Sequence, residues 1–313
     1  MDTLLSVSGL KKEYEIKRSM FSTKKEIIKA VDSISFHLIR GLTLGIVGES
    51  GSGKSTLARC VLFLEKPDRG KIIFEDKDLI SLKNSELRTI RKDMQIIFQD
   101  PYSSLNPRMK VFSTLSEPLV YHGLAEGKDI KEKVIGILKD VGLNEDFLNK
   151  YPHEMSGGQR QRVAIGRALT TDPKLIVADE PVSSLDVSIQ AQIINLFLDI
   201  KENRGISMLF VSHDLNIVRF ISDEIIVVYK GKIVEAGDKN EVFYNPLHPY
   251  TQMLIDSIKG DFFKKKIDYQ VESFEGCSYY PRCNTRKERC KKEVPVLTGD
   301  KSHKVACFKD WNI

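Results

Sequence analysis

No apolar run in this sequence approaches the ~18 residues that a membrane-spanning helix requires. The opening stretch MDTLLSVSGLKKEY lacks the architecture of a secretory signal. Internal repeats and low-complexity tracts are missing too, which excludes solenoid arrays and linker-like chains. Cysteine is scarce, with five in 313 residues, and four of the five lie at or beyond position 277. Excess charge is small: the formal net charge is +5, which suits a neighbour of nucleotides or anionic surfaces without demanding either. These absences predict a cytoplasmic chain whose thiols stay reduced. What is present is ordinary core material, 41% apolar and 29% charged. The length predicts one large domain plus an addition, or two domains.

The stretch around which the chain is organised runs from Gly48 to Thr56. Gly48, Glu49, Ser50, Gly51, Ser52, Gly53, Lys54 and Ser55 match the pattern G-x-x-x-x-G-K-[ST], and Thr56 follows. The apolar run Leu42 to Val47 predicts a buried strand before it, and Thr56 to Phe63 predicts a helix after it. In that context the glycines turn backbone N–H groups inward as an anion nest. The helix N-terminus adds its dipole. Lys54 would then reach the outer phosphates, and the Ser55 hydroxyl a magnesium ion.

Other candidates fall along the chain in order. Lys11 to Lys29 is basic and irregular and reads as a hairpin or loop. Tyr14, at its start, is an aromatic that can stack on a base or simply pack. Ser33 to Ile39 alternates as a half-buried strand. Gln99 ends the apolar run Gln95 to Phe98. Ile130, Val134, Ile137, Leu138 and Val141 recur at helical spacing and predict a core-packed helix within a helical insert. Ser156 is an N-cap candidate before Gly157, Gly158 and Gln159, a second Gly-rich helix start and so a second anion site. One chain rarely needs two phosphate cradles, so the second is expected to serve another subunit's nucleotide. Leu175 to Ala178 predicts a buried strand that ends in Asp179 and Glu180. The first carboxylate suits magnesium support and the second suits general-base work on water. His213 follows the strand Ser207 to Val211, at the end where open α/β sheets bind ligands.

Taken together, the phosphate loop, Gln99, the turn MSGGQ, the strand LIVADE, SSLD and His213 resemble the ATP-binding subunit of an ABC transporter, over residues 1 to about 258. Met155 stands where leucine is commoner in the family. The segments 99–111, 179–196 and 245–258, with CSYYPRC, resemble the oligopeptide and dipeptide importer ATPases. GQRQRVAIGRAL and DEPVSSLD resemble the second of their two paired ATPase subunits. The resemblance implies an α/β P-loop NTPase of ABC type. It would have a RecA-like core, an antiparallel β subdomain and an α-helical subdomain at about 112–165, spanning 1–258. A short Cys-rich extension would occupy 259–313.

The implied activity is ATP hydrolysis coupled to import of di- or oligopeptides. Nickel or another small substrate is the alternative within the same cluster, and a non-transport ABC ATPase is the alternative outside it. The resemblance also implies roles. Tyr14 would stack on adenine, and Gly48 to Thr56 would hold phosphates. Ser55, Gln99 and Asp179 would serve magnesium, and Glu180 would polarise water. His213 would contact the γ-phosphate. Ser156, Gly157, Gly158, Gln159 and Asp186 would act on a partner's ATP. The implied partners are a paralogous ATPase subunit or a second copy, two membrane permease subunits and, indirectly, an extracellular substrate-binding protein, with no nucleic acid. Tyr102 to Pro107 would face the permease, and the chain would sit peripherally on the cytoplasmic face of the membrane.

In the extension, Cys277, Cys283, Cys290 and Cys307 are spaced C-x5-C-x6-C-x16-C. In a reduced compartment that favours metal over disulfide. The spacing lacks the short pairs usual for zinc, and four thiolates suit a [4Fe–4S] cluster. The family resemblance implies the cluster, with zinc or bare thiols as alternatives. Lys264 to Lys266 reads as a basic linker. A tail of about 55 residues is small for a core of its own, so a metal centre is expected to tie it together. The cassette core is expected to exclude the tail. Cys60 is expected to be a buried core residue.

Overall fold

The computed structural model describes residues 2–17, 25–100, 104–259, 275–300 and 302–309. Tyr102 and Lys264 to Lys266 lie outside them.

The first two strands, β1 (Thr3–Lys17) and β2 (Lys25–Ile39), pair antiparallel along their length. Of the two readings of the basic stretch, hairpin or loop, the antiparallel pairing agrees with the hairpin as far as it is described, with Tyr14 opposite Ile28. Cross-strand pairing overrides the weak alternation there. With β4 (Arg69–Phe74) and the short β5 (Lys77–Asp78) they form an antiparallel sheet in the order β2-β1-β4-β5.

The second sheet holds the chemistry. Its parallel part consists of β3 (Thr43–Val47), β6 (Met94–Ile97), β7 (Leu175–Asp179), β8 (Ser207–Ser212) and β9 (Glu224–Tyr229), in the order β9-β3-β8-β7-β6. Every residue of β3, β7 and β8 is buried, as expected of strands covered on both faces. Successive side chains serve different cores. Ile176 and Ala178 join one cluster, and Leu175 and Val177 the other. The antiparallel sheet packs into the second cluster through Leu5, Leu10, Ile34 and Phe74, beside Leu57 and Val61 of α1 (Lys54–Val61).

The helical insert follows α2 (Asn84–Ile90). It comprises α3 (Val111–Tyr121), α4 (Asp129–Asp140) and α5 (Gly157–Leu169), so its last helix runs past the expected boundary at 165. Val134, Ile137 and Leu138 of α4 are buried, as their spacing predicts. After α6 (Val187–Arg204), Phe197 meets Phe210 of β8 edge-on, with centroids 5.8 Å apart. Then come α7 (Leu215–Ile221), β10 (Lys232–Asp238), α8 (Lys239–Tyr244) and α9 (Pro249–Lys259).

The extension is not a separate body. After α10 (Glu288–Lys292), the strands β11 (Thr298–Gly299) and β12 (His303–Val305) add to the cassette's sheet, β12 against β10 and β11 beyond it. Tyr279 is buried in the cassette's larger core cluster, with Cys277 and Cys283 packed against it. The expectation that the cassette core excludes the tail therefore fails. The tail pairs along the β10 edge and packs Tyr279 against Tyr229 and Tyr250.

Candidate functional site

Parallel register explains why residues far apart in sequence meet. In the ladders Ile97 lies beside Ala178, Asp179 beside Val211, and Val47 beside Ser212. The carboxyl ends of β6, β7, β8 and β3 thus finish on one edge, where Gln99, Asp179, Glu180, His213 and Gly48 follow.

The phosphate loop runs from Gly48 into α1, which begins at Lys54. Gly53 has φ 103°, and a Cβ there would stand 1.9 Å from the Ala30 carbonyl oxygen, so only glycine fits. The buried Lys54 donates from Nζ to the carbonyl oxygens of Gly48 and Glu49 at 2.7 and 2.9 Å. Burial pushes its ammonium down from the usual lysine range, against the pull of Glu180 and Asp179. Ser52 Oγ is buried without a protein partner, a donor that an oxyanion could accept. Tyr14 is half-buried on β1 and donates its hydroxyl to Glu65.

Ser55 Oγ donates to Asp179 Oδ1 at 2.9 Å. Burial raises the Asp179 carboxyl above its ordinary range, partly offset by that hydrogen bond. A hydroxyl and a carboxylate at the end of β7 are hard oxygen donors, the donor set that magnesium takes.

Glu180 gathers the rest. Its carboxylate lies 3.9 Å from Lys54 Nζ, accepts from Gln99 Nε2 at 3.3 Å, and stands 3.1 Å from His213 Nδ1. The residue has φ 49°, a left-handed backbone that glutamate adopts only when the surroundings enforce it. Its own N–H donates to the Val211 carbonyl at 2.9 Å, which fixes that turn against β8. The side chain is buried while His213 and Gln99 are exposed, so the carboxylate faces solvent through these two groups. A buried carboxylate with one open side can, chemically, accept a proton from water there.

The second glycine turn is a capping box. Ser156 Oγ accepts from Gln159 N at 3.3 Å, and Ser156 N donates to Gln159 Oε1 at 3.0 Å. Ser156 and Asp186 are exposed. Gly158 has a packing reason that sequence reading missed. A Cβ there would stand 2.7 Å from Ile189 Cγ2, so the glycine lets α5 and α6 close together.

A family model described as "ABC transporter" matches residues 31–183, and one described as "Oligopeptide/dipeptide transporter, C-terminal region" matches 234–290. The chain is 45% identical to the oligopeptide transport ATP-binding protein AppF of Bacillus subtilis, covering 98% of this chain and 97% of that one. The chain belongs to the ABC transporter family. It is an ABC ATPase with the oligopeptide/dipeptide type of C-terminal region. It is also 42% identical to the oligopeptide transport ATP-binding protein OppF of Salmonella typhimurium, covering 98% and 96%. Among solved structures it resembles the ATP-binding cassette MJ0796, seen as a post-hydrolysis dimer bound to ADP and Pi. That match has a TM-score of 0.67 and 31% identity, and covers 75% of this chain and 98% of that one. The ABC fold expected from the sequence is therefore the one observed.

In the extension of this ABC ATPase, Cys277, Cys283, Cys290 and Cys307 all line one cavity of about 20 Å³, together with His248, and all four are free thiols. Burial pushes Cys277 up to about 11 and raises Cys307 as well. Four soft donors around one cavity suit a soft metal centre in chemistry. In spacing they do not yet close on one: among the described residues no three ligating side chains stand close enough to hold a metal ion. Cys60 is fully buried as expected. No helix among the described residues is long and apolar enough to cross a membrane.

Proposed function

We propose that this ABC ATPase is the energy-coupling subunit of an importer for di- and oligopeptides, working on the cytoplasmic face of the membrane. The observation that carries the reading is the match of residues 234–290 to the oligopeptide/dipeptide C-terminal region. A cassette alone would not distinguish cargo.

In this reading residues 1–258 act as the cassette and 259–313 as its extension. Tyr14 stacks on adenine, and the loop from Gly48 to Thr56 holds the phosphates. Glu180 takes the proton of the attacking water, and Gln99 and His213 orient that water and the γ-phosphate. Ser55 and Asp179, with Gln99, hold magnesium, which when bound neutralises phosphate charge. Ser156 to Gln159 and Asp186 meet the ATP of a partner ATPase, a paralogue or second copy, so hydrolysis awaits dimer closure. Two permease subunits convert that closure into transport of substrate delivered by an extracellular binding protein. Cys277, Cys283, Cys290 and Cys307, which line one cavity, would have to draw closer to hold a [4Fe–4S] cluster, which would then cross-link the extension. Protein purified without oxygen should then contain iron and acid-labile sulfide in equal amounts. Stoichiometric zinc without sulfide would replace the cluster with a four-thiolate zinc site.

The function is tested in proteoliposomes holding the permeases, both ATPase subunits and the binding protein. ATP-dependent uptake of a labelled di- or oligopeptide, abolished by Glu180→Gln, is the expected result. Hydrolysis that no peptide stimulates, with no uptake, would overturn the peptide assignment.

A further inference from the structure

The segment CSYYPRC carries an arginine that neither the cassette chemistry nor the thiol cavity uses. Arg282 reaches back to the phosphate loop. Its Nη1 and Nη2 donate to Glu49 Oε2 and Oε1 at 2.6 and 2.8 Å, a bidentate pair 233 residues apart in sequence. Such fork-to-carboxylate pairs are the strong and geometrically specific ones. Glu49 is the second residue of the loop that cradles phosphate. Its backbone N–H is engaged separately, donating to Tyr250 Oη at 2.7 Å. Tyr279, three residues before Arg282, packs against Tyr250 and Tyr229 at centroid distances of 5.5 and 5.2 Å. The extension thus holds Glu49 through the Arg282 fork, and it buttresses the tyrosine that takes the Glu49 N–H.

We propose that Arg282 is a positioning residue for the ATP site: it neutralises the Glu49 carboxylate and fixes the first turn of the phosphate loop, so the C-terminal extension completes a nucleotide site otherwise built by the cassette. The chemistry gives the direction. An unpaired carboxylate within an anion-binding loop repels phosphate, and the arginine removes that repulsion. The pair is only partly exposed, 24% for the Arg282 side chain and 40% for Glu49. Screening therefore weakens it without abolishing it.

The test uses the full chain for titration with a fluorescent ATP analogue, and the assembled transporter for KM and kcat. Arg282→Ala should weaken ATP binding and raise KM about 10-fold, the order of the repulsion between one unpaired carboxylate and a nearby phosphate at a protein surface, with kcat within about 2-fold of the parent. Arg282→Lys should recover part of the loss. The deciding variant adds Glu49→Gln to Arg282→Ala. With the repelling charge gone, affinity should return to within about 2-fold of the parent. If the arginine merely braces the extension, the double variant will bind as weakly as Arg282→Ala. That result overturns the proposal, as does unchanged affinity in Arg282→Ala. Melting temperatures of all three variants separate loss of fold from loss of positioning. Failure of the unmodified chain to bind ATP would instead count against the nucleotide site itself.

Discussion

At Glu180, one carboxylate meets a lysine, an amide and an imidazole on a backbone held at positive φ. Each partner limits what the group can do. Lys54 sets a positive charge beside it inside a buried setting, while Gln99 and His213 stand on its exposed side. Glu180→Gln keeps the shape and removes the carboxylate proposed as the base. It should still bind ATP and lose turnover by about 10²–10⁴-fold, the usual worth of a positioned general base. Single-turnover hydrolysis measures this, and near-normal turnover would place the base elsewhere. The adjacent carboxylates of Asp179 and Glu180 were visible in the sequence as a strand-end pair. The sequence also suggested different work for each, but not what holds them apart. That follows from register, which turns Asp179 to Ser55 and Glu180 to Lys54.

Among the elements, α5 and α9 carry the informative cases. The α5 start is capped by Ser156 as its sequence indicates, Ser156 is exposed, and the proposed function sets it against a partner's ATP. Ser156→Arg should therefore leave nucleotide binding on this chain intact while stopping ATPase of the assembled transporter, because the side chain blocks closure. Titration with an ATP analogue beside transporter ATPase distinguishes the two. If this chain's own binding collapses while assembled activity survives, the trans role is wrong. At the start of α9, His248 is buried and its Nδ1 accepts from Tyr250 N at 3.0 Å, so the ring is neutral. Burial depresses it from 6.5 to about 4. The unfolded chain therefore binds more protons between these values, and stability is present above pH 6.5 and lost as pH falls toward 4. The loss amounts to about 3 kcal/mol at most. His248→Gln should flatten that part of the pH dependence of the melting temperature. An unchanged slope would mean that other groups carry it.

For the whole molecule, the consequential feature is how the extension is attached. Glu235 is fully buried on β10. It accepts from Leu247 N and His248 N at 2.8 Å each, and lies 2.7 Å from His303 Nε2 of β12. One buried carboxylate thus fastens both the approach to α9 and the tail strand. Tyr279 fills the space between Tyr229 and Tyr250. Tyr279→Ala should cost about 3–5 kcal/mol, as truncation of a large buried aromatic does, and should make residues beyond 275 protease-sensitive. Denaturant melts and limited proteolysis check both. A loss below about 1 kcal/mol would mean that the extension is held by its other contacts, the β10–β12 pairing and the Arg282–Glu49 and His303–Glu235 pairs.

Motif spacing and apolar runs in the sequence already specified the cassette, its phosphate loop, the capped α5 and the carboxylates after β7. Those features are local, and short-range chemistry writes them within a few residues. The basic stretch could be read as a hairpin, but the length of the β1–β2 ladder was hidden, because its pairing partner rather than its own alternation stabilises it. The role of Gly158 was hidden because Ile189, on the next helix, defines the space it must leave open. Four cysteines at unequal spacings could announce a shared cavity but not its size. The docking of the tail was beyond the sequence altogether. The Arg282–Glu49 pair joins residues that the folded sheet brings together across most of the chain, and the Tyr279 packing joins separate elements. Only tertiary structure decides which distant surfaces meet, because the energy of burying them exists only once both are formed.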